Sequence, residues 1–207
     1  MEYPGYGQYP GSPSADQIQS DSMSVYEFLV GMLQVSPENL IIFGRSIGSG
    51  PSTFLGKEKP VGAVLLMSPF TSIREAARDI AGRFAQYLVA DRFRNVDNVQ
   101  CFRCPTFVVH GLQDELIPVA HAQILHENCS GPCHLELSKE MDHNYFDYYD
   151  DLLLPLTNFF AEHNISIEPV ADDGVIEIPA GFFLPPPGQP KADNRGNVHK
   201  ILSSIKH

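Results

Sequence analysis

The sequence has few basic residues, no tryptophan and no long apolar run. Its 14 lysines and arginines are outnumbered by 25 aspartates and glutamates, which gives a formal net charge of −11. Without a cluster of cations to neutralise phosphates, neither nucleic acid nor an anionic membrane surface is expected as an electrostatic partner. No apolar run approaches the roughly 20 residues that span a bilayer.

The segment after Met1, EYPGYGQYPG, lacks the basic and apolar regions of a signal peptide, so we expect a cytoplasmic protein. The four cysteines form a C-x-x-C and a C-x-x-x-C pattern. A zinc site or a disulfide is one interpretation, but Cys104 and Cys133 border apolar strands, and free thiols are favoured. The eight histidines show no metal-binding spacing, and we expect no metal and no cofactor.

Short apolar runs alternate with helical patterns along most of the chain. The runs lack the polar alternation of a half-exposed strand, which predicts buried strands, and they cover residues 39–43, 61–69, 105–111 and 133–137. A helix is expected after a loop at 1–22, with Asp21-Ser22 as its cap, and another from Ser72 through Val89. Apolar strands that are each followed by a helix predict an α/β fold, with a mostly parallel sheet flanked by helices.

The composition changes near residue 163. Six of the 17 prolines fall between Pro169 and Pro190. We therefore expect one domain at 1–163 and an extended or disordered, Pro-rich tail at 164–207.

The stretch Gly44-Arg45-Ser46-Ile47-Gly48 matches G-x-S-x-G and lies between an apolar strand and a helix. This context predicts a nucleophile elbow, in which a sharp turn exposes Ser46 and side chains at Gly44 and Gly48 would collide with their surroundings. The backbone NH of Ile47, at the start of the helix, is the expected oxyanion-hole donor.

A serine becomes nucleophilic when a histidine takes its proton and a carboxylate orients that histidine. Asp114 follows the third strand and His143 the fourth, so the carboxyl ends of the strands place both near Ser46. Neighbouring acids stay open as alternatives for the carboxylate, namely Glu115 and Asp142. Other polar residues are expected to have different roles. Ser49 and Ser52 would cap the helix or be solvated, Ser68 would form a wall of the site, and His110 would be structural.

Several segments together resemble the α/β-hydrolases of the domain-containing 17 type, which are related to Bem46-like and serine aminopeptidase-like hydrolases. They are EYPGYGQYPGSPS, IIFGRSIGSGP, LLMSPFTSIREAA, CPTFVVHGLQDELIPVAHA and MDHNYFDYYDDL. The resemblance implies strands 5–8 of that fold and a serine hydrolase with Ser46 as nucleophile, Asp114 as acid and His143 as base. It also implies depalmitoylation, with an acylated protein or a lipid-like ester as substrate, and peripheral association of a full-length form with the cytosolic face of membranes.

The sequence differs from full members of this family at its N-terminal end. Full members carry strands 1–4 and a loop with a second oxyanion donor, so the chain is expected to be truncated at its N-terminus. The run NLIIF would then form an unpaired edge strand. Loss of one oxyanion donor costs about 10²–10³-fold in turnover. A catalytically incomplete fragment, acting at most as a binding module, is therefore the alternative function.

Overall fold

The computed structural model describes residues 1–7 and 9–166. From residue 167 onward, the predicted Pro-rich tail lies outside the described residues. Four strands form one sheet in the order β1-β2-β3-β4, and every neighbouring pair is parallel. The strands are β1 (Ile41–Arg45), β2 (Ala63–Met67), β3 (Thr106–Gly111) and β4 (Cys133–Ser138).

Helices connect successive strands, as parallel pairing requires, and further helices precede β1 and follow β4. They are α1 (Ala15–Glu27), α2 (Ser49–Glu58), α3 (Ile73–Ala81), α4 (Asn95–Val99), α5 (Ala120–Asn128) and α6 (Leu154–Glu162). A π-helical turn extends α1 through Phe28–Met32, and another at Tyr148–Leu153 precedes α6. The predicted parallel α/β architecture is confirmed.

The two faces of the sheet carry separate apolar clusters because successive side chains on a strand alternate in direction. One cluster joins Leu65, Val109 and Phe159 of α6. The other joins Leu66, Val108 and neighbouring side chains of the helices. Strands β2 and β3 are buried on both faces, which explains why their sequences read as continuous apolar runs.

Helix α1 begins earlier than the sequence predicts. Its cap is Ser14, whose side chain accepts a hydrogen bond from the amide of Gln17, and not Asp21-Ser22. The buried positions are Ile18, Ser22 and Tyr26, which recur every four residues on one face. Residues 15–22 are therefore helical, and the prediction of a loop throughout 1–22 was wrong.

The helix predicted from Ser72 starts where expected, because the Ser72 side chain accepts a hydrogen bond from the amide of Glu75. It ends at Ala81, well before Val89. Gly82 follows with φ of 88°, a left-handed conformation that stops a helix and favours glycine. Only a short 3₁₀ turn, Ala85–Tyr87, forms beyond it before α4.

Strand β1 lies at the edge of the sheet and pairs only with β2 within the described chain. Ile41 is 37% and Phe43 52% exposed, so the interpretation of 39–43 as a buried strand was wrong. The predicted unpaired edge is confirmed. A groove of about 380 Å³ runs along it between Val25 of α1, Phe43 and Leu55 of α2.

Among the described residues, no helix is both long and apolar enough to cross a membrane. The four cysteines are free thiols, and Cys101 is exposed. The same part of the chain contains no group of three or more histidine, cysteine or carboxylate side chains arranged to hold a metal ion.

Candidate active site

The end of β1 forms a sharp turn that presents Ser46. This serine has φ of 50°, a left-handed conformation that is strained for a residue with a side chain. A Cβ atom at Gly44 would lie 2.4 Å from the Ser52 hydroxyl and 2.5 Å from the Gly48 carbonyl, so glycine is required there. At Gly48 the nearest atom is the Tyr3 hydroxyl at 3.5 Å, and the predicted collision at that position was wrong.

The three side chains singled out in the sequence meet at the carboxyl ends of β1, β3 and β4. The His143 Nε2 atom lies 3.0 Å from the Ser46 hydroxyl oxygen. The Nδ1 atom of the same ring lies 2.8 Å from Asp114 Oδ2. His143 therefore bridges a hydroxyl and a carboxylate that come from elements 68 residues apart in sequence (114 − 46).

Asp114 is buried, and its second oxygen is also engaged. Oδ1 accepts hydrogen bonds from the amides of Leu116, at 3.0 Å, and Ile117, at 2.8 Å. Burial by itself would raise the pKa of Asp114, but hydrogen bonds from His110, Ile117 and His143 outweigh it and lower that pKa to about 2. The carboxylate is therefore ionised at neutral pH.

An ionised Asp114 decides where the protons on His143 lie. Because a carboxylate only accepts hydrogen bonds, His143 Nδ1 must carry a proton and donate it to Asp114. In the neutral ring this leaves a lone pair on Nε2, which faces the Ser46 hydroxyl. This is the tautomer that a general base needs, because it can accept the hydroxyl proton.

The two alternative carboxylates, Asp142 and Glu115, have other surroundings than the His143 imidazole. Asp142 uses its Oδ1 atom to accept hydrogen bonds from the amides of Asn144, at 2.6 Å, and Tyr145, at 2.7 Å. It thereby closes a turn directly after His143. Glu115 is exposed and lines a cavity of about 450 Å³ that opens beside His143. Of the three carboxylates, Asp114 is the one in hydrogen-bond contact with the imidazole.

The loop that carries His143 packs tightly on the end of β3. The Gln113 amide donates to the Met141 carbonyl at 3.1 Å. A Cβ atom at Gly111 would lie 2.0 Å from that carbonyl oxygen, so only glycine allows the loop to approach. This approach brings His143 within reach of Asp114.

Comparison with known proteins places this arrangement in context. No family model matches the chain. Alpha/beta hydrolase domain-containing protein 17B of Xenopus laevis is 31% identical over 167 residues, which are 80% of this chain and 57% of the relative. The human protein 17B is 30% identical over the same shares of the two chains. Protein 17C of Mus musculus is 30% identical over 77% of this chain and 49% of the relative.

The chain is related to the domain-containing 17 α/β-hydrolases. It spans about half the length of the 17B and 17C proteins that it matches. Solved structures agree on the fold. An acetyl xylan esterase from Paenibacillus sp. R4 superposes with a TM-score of 0.57 at 16% identity, covering 76% of this chain and 59% of the esterase. A puromycin hydrolase superposes with a TM-score of 0.56 at 13% identity, covering 73% and 25% of the two chains.

In this α/β-hydrolase fold, Ser46–Gly48 forms a single 3₁₀ turn that leads directly into α2. The amide of Ile47 thus belongs to the first turn of a continuous helical segment, where the backbone dipoles place partial positive charge. Such an amide can stabilise negative charge that develops on an oxygen near Ser46. Its role as the oxyanion donor stays a prediction.

The sequence interpretation missed a buried polar network behind Ser46. Ser49 is fully buried, so its expected solvated or capping role was wrong; its hydroxyl donates to the Ser46 carbonyl at 2.7 Å. Asn95 of α4 donates to the Ser49 hydroxyl at 2.9 Å and to the Phe70 carbonyl at 2.8 Å. The Thr53 hydroxyl donates to the Asn95 side-chain oxygen at 2.7 Å. No local pattern in the sequence indicates such a hydrogen-bond network.

The structure also shows the surroundings of Ser68 and His110. Ser68, expected to form a wall of the site, is completely buried at the end of β2. His110 is structural, as predicted: its Nε2 atom lies 2.8 Å from the Ile117 carbonyl, to which it donates. The same atom lies 3.4 Å from Asp114 Oδ2, so His110 also contacts the Asp114 carboxylate.

Proposed function

We propose that this chain carries the catalytic centre of a serine hydrolase that cleaves acyl thioesters or esters. The observation that carries the proposal is a single imidazole lying 3.0 Å from the Ser46 hydroxyl and 2.8 Å from the Asp114 carboxylate. A serine hydroxyl is unreactive without such a base, and the base needs the carboxylate to fix its tautomer.

The reaction proceeds in two steps. His143 Nε2 takes the proton of Ser46 as the serine oxygen attacks the acyl carbonyl, and the Ile47 amide stabilises the resulting oxyanion. The tetrahedral intermediate collapses, the acyl–sulfur or acyl–oxygen bond breaks, and protonated His143 gives its proton to the leaving thiol or alcohol. Water, deprotonated by His143, then attacks the acyl-serine and releases the acid with free Ser46.

For the substrate we propose the S-acylated cysteine of a protein, with palmitate as the acyl group. Relationship to the domain-containing 17 hydrolases supports this choice. We also propose a cytosolic site of action, with peripheral membrane association of a full-length form, because acylated proteins are held at membranes. Comparing hydrolysis of a palmitoyl-cysteine peptide with that of its oxyester analogue tests the substrate. Separating cytosol from membranes tests the location.

Labelling by a fluorophosphonate probe tests the reaction class. We expect covalent labelling of the wild-type chain and its loss in Ser46→Ala. Ser130→Ala should keep full labelling, because Ser130 is exposed and its hydroxyl donates to the Gln100 carbonyl, away from the triad. Equal labelling of Ser46→Ala and wild type would refute Ser46 as the nucleophile. If only a longer form that includes an upstream segment is labelled, this chain is the catalytically incomplete fragment.

A further inference from the structure

Arg45 connects the nucleophile strand with the loop that carries the base. It is the last residue of β1 and directly precedes Ser46. Its Nη2 atom donates a hydrogen bond to the backbone carbonyl of His143 at 2.5 Å. Among the described residues Arg45 forms no ion pair, and its buried Nε atom has no hydrogen-bond partner. Its guanidinium is thus directed at the His143 backbone rather than at an acidic side chain.

The sheet topology makes such a connection necessary. Ser46 follows β1 and His143 follows β4, and these strands lie at opposite edges of the sheet. Neighbouring strands are about 4.8 Å apart, so the loop after β4 must cross roughly 14 Å to reach the serine. The loop is irregular between Ser138 and Tyr148, and no ladder of strand hydrogen bonds holds it over β1.

The described contacts hold this loop on two sides. On the β3 side, the Gln113 amide donates to the Met141 carbonyl. On the β1 side, Arg45 donates to the carbonyl of His143 itself. A hydrogen bond from a charged group is stronger than one between neutral groups, and fixing the His143 carbonyl fixes the backbone from which the imidazole extends.

We propose that Arg45 is a positioning residue, which holds the His143 backbone so that the imidazole stays within hydrogen-bond reach of the Ser46 hydroxyl. The proposal rests on the serine hydrolase function proposed above. The described hydrogen bond of Arg45 goes to the His143 backbone and not to the Ser46 hydroxyl or the imidazole, so in this proposal it acts on the rate through His143. Misplacement of a catalytic group by about 1 Å lowers the rate by roughly 10²-fold.

Three variants test this role. Arg45→Met keeps an apolar stem but removes the donors, whereas Arg45→Lys keeps one charged donor. Arg103→Met is the matched control, because Arg103 lines a cavity at the amino ends of the strands, away from the triad. We expect Arg45→Met to lower kcat and the labelling rate of Ser46 by about 10–100-fold, with KM and Tm close to wild type. Arg45→Lys recovers part of that loss, and Arg103→Met behaves as wild type.

A proton NMR signal gives a readout that does not depend on turnover. The His143 Nδ1 proton, held by Asp114, should give a low-field resonance that is absent in His143→Gln. We expect this resonance to broaden or shift in Arg45→Met and to stay unchanged in Arg103→Met. If wild-type Ser46 is not labelled, the proposed function fails, but the resonance still tests the positioning role. Wild-type kinetics together with a wild-type resonance in Arg45→Met would overturn it.

Discussion

Replacing Asp114 by asparagine tests the whole arrangement, because it changes charge and proton placement with little change in shape. The amide oxygen can still accept from the amides of Leu116 and Ile117. The amide nitrogen then faces His143 Nδ1, and two donors cannot bond each other. His143 must place its proton on Nε2, toward the Ser46 hydroxyl, where it can no longer act as a base.

The expected loss of activity is about 10⁴-fold, the magnitude typical of this change in serine hydrolases with a triad. The fluorophosphonate labelling rate measures it. Glu115→Gln and Asp142→Asn serve as controls and should stay within about threefold of wild type, since neither carboxylate contacts the imidazole. Labelling of Asp114→Asn within tenfold of wild type, or an equal loss in either control, would refute Asp114 as the acid.

The same variant should change the pH dependence of stability. The pKa of Asp114 falls from 3.8 to about 2 on folding, which corresponds to about 2 kcal/mol of stability. Because the folded pKa is depressed, this contribution is present above pH 3.8 and is lost as the pH falls to about 2. Urea unfolding should show Asp114→Asn less stable by about that amount at pH 7. The difference should shrink between pH 4 and pH 2.

Three further results follow from the packing around the site. Gly44→Ala should lower stability by about 1–3 kcal/mol and abolish labelling of Ser46, while Gly48→Ala should leave stability and labelling as in wild type. Thermal melts and fluorophosphonate labelling check both variants. Asn95→Ala leaves buried partners without hydrogen bonds and should cost about 2–4 kcal/mol in urea unfolding, against little change for the exposed Asn128→Ala. Burial lowers the pKa of His121, so the stability of the fold should decline as the pH falls below 6.5. His121→Asn should make Tm less dependent on pH between pH 7.5 and 5.5, and an unchanged slope of Tm against pH would contradict this.

Much of the architecture follows from local information. Apolar runs without alternation identify strands such as β2 and β3 because both of their faces are covered, and the helical segments between them favour parallel pairing. Element boundaries were less predictable. The cap of α1 at Ser14 was missed because a Gly- and Pro-rich segment precedes it, and the end of α3 at Ala81 was missed because apolar residues continue beyond it.

The sequence by itself determined which residues are candidates for the site, because G-x-S-x-G and the ends of apolar strands are local patterns. Only the tertiary structure decided that Asp114, and neither Glu115 nor Asp142, lies against His143. Only it showed that Asn95 and Arg45 support the site. The physical reason is distance along the chain: these contacts join residues tens of positions apart, and their geometry depends on how the loops pack over the strand ends.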